Sequence, residues 1–316
     1  MTETSRWDPE MLAFQAARDA DAAKYPPIRL EFPFAPQRAI NDALNLITAQ
    51  GGPVPAETRD LWVGARGRRI FCRLYRPRAG ADLPLVVYFH GGGWVWSSVD
   101  THDRLARELA VGADVAVLSV DYTLSPEAKF PHALLECAAV VEYAAQHGAA
   151  EWGIDPARLL LAGDSAGGNL ALATALMLRD QGGPALRGIV AFYPVCDADF
   201  TRPSYREFGQ GFGLSLDRMA FYWNVYVPHE ADRLHPLAAP LRADLAGLPP
   251  VLVQLAELDV LRSEGEALVA RLQQADVPVE HETFAGVVHG FLRATSGVAK
   301  ARAAVAGACD WLRRQA

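Results

Sequence analysis

The chain predicts an α/β fold: a mostly parallel sheet of about eight strands, helices on both faces and a helical cap. Three observations carry that expectation. Six short apolar or β-rich runs follow one another, most of them separated by helical stretches of suitable length, which suits buried parallel strands joined by crossovers. Two further runs, joined by a Gly/Arg turn, stand ahead of them as a hairpin would at a sheet edge. Two helical segments precede every strand, and more than fifty residues separate the fourth and fifth apolar runs, longer than a crossover requires.

In chain order, Asp8 can cap a helix over residues 8–23, with Pro9 at its first position and Met11, Phe14 and Ala17 recurring on one face. A second helical pattern runs from Pro36 to Gln50 and stops at Gly51-Gly52-Pro53. The hairpin is "RDLWVG" (59–64) with "RIFCRLYRP" (69–77), its tip holding Arg66, Arg68 and Arg69 around Gly67. The later strands are "PLVVYFH" (84–90), "VAVLSVDY" (115–122), "RLLLAGD" (158–164), "GIVAFYP" (188–194), "VLVQLA" (251–256) and "VEHETF" (279–284). The long interval contains the aromatic-rich "LSLDRMAFYWNVYVP" (214–228) and reads as a lid or binding loop. We therefore expect an N-terminal cap segment over residues 1–52 and a catalytic domain over 53–316, with a cap insertion at about 197–235.

Composition narrows the function. In 316 residues, 51% are hydrophobic and 21% charged, enough apolar material for one large core. The net charge of −7 and the absence of a long basic run disfavour nucleic acid as a partner. No run reaches the length of a membrane span, and "MTETSRWDPEM" is polar and acidic where a secretory signal would be basic and then apolar. Cys72, Cys137, Cys196 and Cys309 are far apart and match no metal-ligand spacing, so they are expected as buried thiols of a cytoplasmic protein without a metal.

The chemistry centres on "LLLAGDSAGGNLALATALML" (159–178), where Ser165 stands between a buried strand and an apolar helix in the pattern Gly163-x-Ser165-x-Gly167. A serine nucleophile needs a sharp strand-to-helix turn that lifts its hydroxyl above the sheet, and small neighbours where strand and helix crowd that turn. The hydroxyl also needs a base, and the base needs a third group to fix its tautomer. Of eight histidines, His90 belongs to a glycine segment, and His132, His147 and His281 have structural explanations on helices and a strand. His102, His229 and His235 sit in polar loops, where solvated histidines are common. His289, after the last strand and backed by Gly290, is the best base; Asp259, beyond the penultimate strand, is the preferred orienting acid, with Glu257 as fallback and Glu264 assigned to a helix start. The order Ser165, Asp259, His289 is that of α/β-hydrolases.

"FHGGGWVW" (89–96) then has a purpose. It ends a strand expected next to the neighbour of the nucleophile strand, so that the backbone N–H groups of Gly91 and Gly92 join that of Ala166 around a developing oxyanion. Donors worth roughly 3 kcal/mol each in the transition state outweigh roughly 1 kcal/mol of backbone entropy per glycine. Trp94, Tyr193, Phe212, Leu214, Trp223 and Phe291 are candidates for an apolar substrate pocket, although aromatics at helical spacing, such as Phe221 and Tyr222 with Tyr226, more often pack the core.

On "HGGGW" (90–94), "DYTLSPEAKFPHAL" (121–134), "GDSAGGN" (163–169), "AELDVLRSEGE" (256–266) and "HGF" (289–291), the chain resembles the hormone-sensitive-lipase-like family of α/β-hydrolases, the bacterial carboxylesterases. The resemblance implies the α/β-hydrolase fold, Ser165 as nucleophile with Asp259 and His289, and Gly91, Gly92 and Ala166 as oxyanion donors. It also implies a cap made from the N-terminal helices and the 214–228 region. Two departures from the family pattern are visible: Thr123 and Ser125 stand where it usually has arginine and alanine, and Val260 where it usually has proline. These bear on local ion pairing and on the stiffness of the acid loop.

The expectation is a serine carboxylesterase that cleaves small, fairly apolar, short-acyl esters through an acyl-enzyme, with no cofactor. An amidase, arylformamidase or lactonase would use the same groups, and a small-molecule receptor would keep the serine but lose the base. "GLPPVLV" (247–253) and the edge run 279–284 offer a surface for a homodimer.

Overall fold

The structure, a computed structural model, describes residues 3–31, 33–65 and 67–316. Arg66 of the expected arginine turn lies outside the described residues, as do Met1 and Thr2. In chain order the main elements are α1 (Pro9–Ala22), α2 (Phe34–Ala49), β1 (Glu57–Ala65), β2 (Arg68–Arg76), β3 (Leu83–Phe89), α3 (Asp103–Ala113), β4 (Ala116–Asp121), α4 (His132–Trp152), β5 (Ile154–Asp164), α5 (Ala166–Asp180), β6 (Gly188–Phe192), α6 (Pro203–Phe208), α7 (Leu216–Tyr226), β7 (Val251–Leu258), α8 (Arg262–Gln274), β8 (Val279–Val288) and α9 (Ala299–Gln315).

The eight strands form one sheet in the order β1-β2-β4-β3-β5-β6-β7-β8. β1 and β2 pair antiparallel, β2 pairs antiparallel with β4, and every other pairing is parallel. Every residue of β3 and β6 is buried, as strands covered on both faces require. β3 lies directly beside β5, in register Phe89 to Gly163, rather than one strand further away as the sequence suggested. The glycine segment after β3 and the turn after β5 therefore emerge side by side.

α1 begins as its sequence dictates. The Asp8 side chain accepts hydrogen bonds from the N–H groups of Glu10 and Met11, and Pro9 supplies a first-turn position that needs no donor. Asp8 also pairs with Lys300 of α9 at 2.9 Å, joining the N-terminal helix to the C-terminal one. α2 is fixed by Arg38, whose guanidinium spans both Glu127 oxygens at 2.7 Å and donates to the Ser125 and Val95 carbonyls at 2.8 and 2.9 Å.

The two departures from the family pattern find partners here. Thr123 donates its N–H and hydroxyl to Glu136, which also meets Arg68 and His132. Ser125 closes its own turn by donating to the Ala128 carbonyl. Beyond β7, Ser204 donates to the carbonyl of Val260, which braces the acid loop without proline. The four cysteines are buried and unbridged. Among the described residues no helix is long and apolar enough to cross a membrane.

Candidate active site

Ser165 occupies the sharp turn between β5 and α5, at φ 57° and ψ −118°. A serine held there carries strain of order 1–3 kcal/mol, maintained only because its surroundings allow nothing else. Its N–H donates to the Phe192 carbonyl at 2.9 Å, and its carbonyl accepts from Asn169 and Val195. Gly167 is obligatory: a Cβ there would collide with the carbonyl oxygen of Phe89, so the first turn of α5 lies against the end of β3. The free N–H groups of that turn face the region above Ser165.

His289 follows β8 and reaches both partners. Its Nε2 lies 2.8 Å from Ser165 Oγ, and its Nδ1 lies 2.7 Å from Asp259 Oδ2. Asp259 is 1% exposed, and its other oxygen accepts the Leu261 N–H at 2.9 Å. A carboxylate oxygen accepts, so Nδ1–H is the donor in that bond; Nε2 then presents a lone pair to the serine hydroxyl. The Tyr193 ring packs edge-on against the imidazole with centroids 4.8 Å apart, confining its plane. Three side chains separated widely in sequence thus form one hydrogen-bonded line. The alternative acids do other things: Glu257 accepts the Gly286 N–H, and Glu264 is buried beneath Tyr205 and the N–H groups of Cys196 and Asp197. Burial pushes the Glu264 carboxyl up to about 8, against those three donors.

The structure corrects the expected donor set at Gly91. Its N–H is already given to Asp164 Oδ1 at 2.8 Å, so it is unavailable to a substrate oxygen. The following residues, Gly92 and Gly93, adopt φ of +124° and +61° and line the cavity together with Ser165. At Gly93 a Cβ would enter the ring of Tyr222, so close approach and positive φ both demand glycine there. Gly92 and Gly93, not Gly91, line the cavity with Ser165.

Asp164 is buried and accepts from Tyr88 Oη at 2.6 Å as well as from Gly91. Burial alone would raise its pKa, but the charge and hydrogen bond of His102, the Tyr88 hydroxyl and Arg293 together hold it well below the usual carboxylate range. His102 is the second correction: it is 2% exposed, 3.5 Å from Asp164 and against Thr101, not a solvated loop histidine.

A cavity of about 790 Å³ reaches Ser165 and His289, with walls from α1, α2 and α7. Of the six residues expected to line it, Leu214 does. The other five belong to the core. Trp94 stacks on Tyr226 at 4.2 Å and meets Trp223 edge-on. Phe212 packs on Trp7 and Phe208, and Tyr193 and Phe291 face each other behind His289. Tyr222, which the sequence assigned to packing, lines the cavity. The wall is also more polar than "fairly apolar esters" implied, since Arg18, Asn45, Arg218 and Arg293 are part of it. Two signals were present in the sequence: an acid immediately before the nucleophile, and an arginine four residues beyond His289.

Comparison with known proteins follows the same lines. A family profile described as the α/β-hydrolase fold matches residues 86–293. The chain is 41% identical over 225 residues to the carboxylesterase NlhH of Mycobacterium tuberculosis, covering 70% of each chain. It is 36% identical over 257 residues to the arylesterase of Saccharolobus solfataricus, covering 80% of this chain and 83% of the relative. A thermostable esterase from Pseudomonas putida ECU1011 superposes with a TM-score of 0.91 at 35% identity, over 98% of this chain and 97% of the other.

Proposed function

The chain belongs to the hormone-sensitive-lipase-like family of α/β-hydrolases and hydrolyses carboxylic esters, and on that footing we propose that it does so through an acyl-enzyme on Ser165. In this reading His289 Nε2 takes the Ser165 proton as Oγ attacks the ester carbonyl carbon. The carbonyl π pair moves onto oxygen, and the backbone N–H groups of Gly92, Gly93 and Ala166 receive that charge. Asp259 holds the imidazole and stabilises its positive charge. Collapse of the tetrahedral intermediate expels the alkoxide, which takes the proton from His289 and leaves as the alcohol. Water, deprotonated by the same Nε2, then attacks the acyl-serine and releases the acid.

The observation that carries the proposal is the continuous line Asp259–His289–Ser165, with both bonds under 2.9 Å, at the floor of an accessible cavity. A receptor would have no use for an intact base in bonding distance of the serine. We propose further that α1, α2 and the insertion containing α7 act as the cap, and that short acyl chains are preferred. Ser165→Ala is expected to abolish hydrolysis of p-nitrophenyl butyrate, with loss of Ser165 labelling by a fluorophosphonate probe. Turnover near that of the wild type would remove Ser165 from the mechanism.

A further inference from the structure

Most arginines near this site are spoken for. Arg38 clamps Glu127, Arg104 meets Glu108, and Arg107 meets Asp103. Arg18 of α1 and Arg293, in the short turn Phe291–Ala294 after His289, are different. Among the described residues their side chains donate to one neutral atom, the Oδ1 of Asn45, at 3.1 and 2.7 Å. Among the described residues neither guanidinium has a carboxylate within ion-pair distance. Asn45 is itself 2% exposed, so its amide is a buried hub holding two cations side by side. Each guanidinium has five N–H donors, and one shared oxygen leaves most of them without an acceptor.

We infer that Arg18 and Arg293, gathered on Asn45 in the wall of the cavity that contains Ser165 and His289, form a subsite for a carboxylate carried by the ester substrate. The inference rests on the ester-hydrolase reading above and sharpens its substrate class. All five residues line the same cavity, and Arg218 of α7 adds a third guanidinium to its wall. Burial and then the charge of Arg293 pull the Arg18 pKa down to about 10, against a smaller opposing pull from Asp19 and Asp21. The acids in the wall act on the two guanidiniums through charge alone and make their hydrogen bonds elsewhere: Asp19 with Gln15, Asp21 with Lys24, and Asp164, whose charge Arg293 faces, with Tyr88 and Gly91. A purely mechanical tie between α1, α2 and the 291–294 turn would need one donor to Asn45, and no second positive charge.

A carboxylate could enter on either side of the ester bond, and two pairs of substrates separate the cases. Specificity constants would be measured for p-nitrophenyl hemisuccinate against p-nitrophenyl butyrate on the acyl side. On the alcohol side, 3-acetoxybutyrate would be measured against sec-butyl acetate. The wild type, Arg18→Gln, Arg293→Gln and Arg293→Lys would each be assayed. In at least one pair the anionic-to-neutral ratio is expected to fall about tenfold or more in each Gln variant, mainly through KM, and to recover in part in Arg293→Lys. A ratio within twofold of the wild type in both pairs overturns the subsite.

Should the Gln variants not fold, the wild type alone decides. Free succinate or 3-hydroxybutyrate should inhibit neutral-ester hydrolysis competitively, and added salt should relieve that inhibition, because the contact is ionic. Absence of inhibition by both at roughly tens of millimolar, a Kd weaker than about 2 kcal/mol of binding corresponds to, overturns it equally. Failure to hydrolyse any of the four esters would instead sink the ester-hydrolase reading itself, and the subsite with it.

Discussion

Asp164 stands one residue before the nucleophile and fastens the segment after β3 by accepting the Gly91 N–H. That single bond withdraws one donor from the region above Ser165 and, by fixing its peptide, orients the two that follow. Asp164→Asn keeps the shape but removes the charge that His102 and Arg293 face. It is expected to lower kcat for p-nitrophenyl butyrate about tenfold or more, on the scale of a mispositioned oxyanion donor. A kcat equal to that of the wild type, in a variant whose melting temperature shows it folded, would detach Asp164 from this role. Residue chemistry was legible wherever one local pattern dictated it: Asp8 as a cap, Gly167 in its crowded turn, the order Ser165–Asp259–His289. The direction of a peptide N–H is not such a pattern. Whether Gly91 or Gly93 faces the cavity depends on the φ of +124° at Gly92 and on an acid 73 positions away, which no local spacing encodes.

At the scale of elements, the sequence yielded the eight strands and their alternation with helices, because strand-length apolar runs and crossover helices are local signals. It did not tell which face of α7 looks where. Tyr222 and Trp223 are neighbours on one helix, yet the first lines the cavity and the second is fully buried against Trp94. Helical periodicity names a stripe without saying whether core or cavity lies opposite it. The same walls set the chain-length preference. α1, α2 and α7 present Arg18, Asn45 and Arg218 to the cavity, so a long alkyl chain would cover charged groups instead of gaining the ~0.8 kcal/mol per methylene that an apolar wall returns. Specificity constants are expected to be higher for butyryl than for palmitoyl p-nitrophenyl esters; the reverse order would contradict the proposed wall.

For the whole molecule, a buried imidazole couples stability to pH. His90 is fully buried, stacked on Tyr122 at 4.4 Å, with Nδ1–H donating to the Gly91 carbonyl at 2.8 Å. Burial, then the charge of His102, pushes its pKa down to about 3. In the unfolded chain an imidazole titrates near ~6.5, so below that pH the unfolded state binds a proton that the native state refuses. Stability is lost as pH falls from 6.5 towards 3, by about 1.4 kcal/mol per pH unit for this one group. Asp121, raised to about 6, and Glu264, raised to about 8, act in the opposite sense, so the comparison must be made against His90→Gln. Urea unfolding of both proteins between pH 7 and 4.5 should show the wild type losing ground to the variant below 6.5; parallel curves would contradict a neutral His90.

Because the backbone of Gly167 rests on the Phe89 carbonyl oxygen, the reactive serine and the loop facing it share one rigid seam. Neither can be remodelled without dislodging the other. New selectivities, in nature or in a mutant library, must therefore arise from the residues of α1, α2 and α7 that wall the cavity, which leaves this architecture conservative in its reaction and permissive in its choice of molecules.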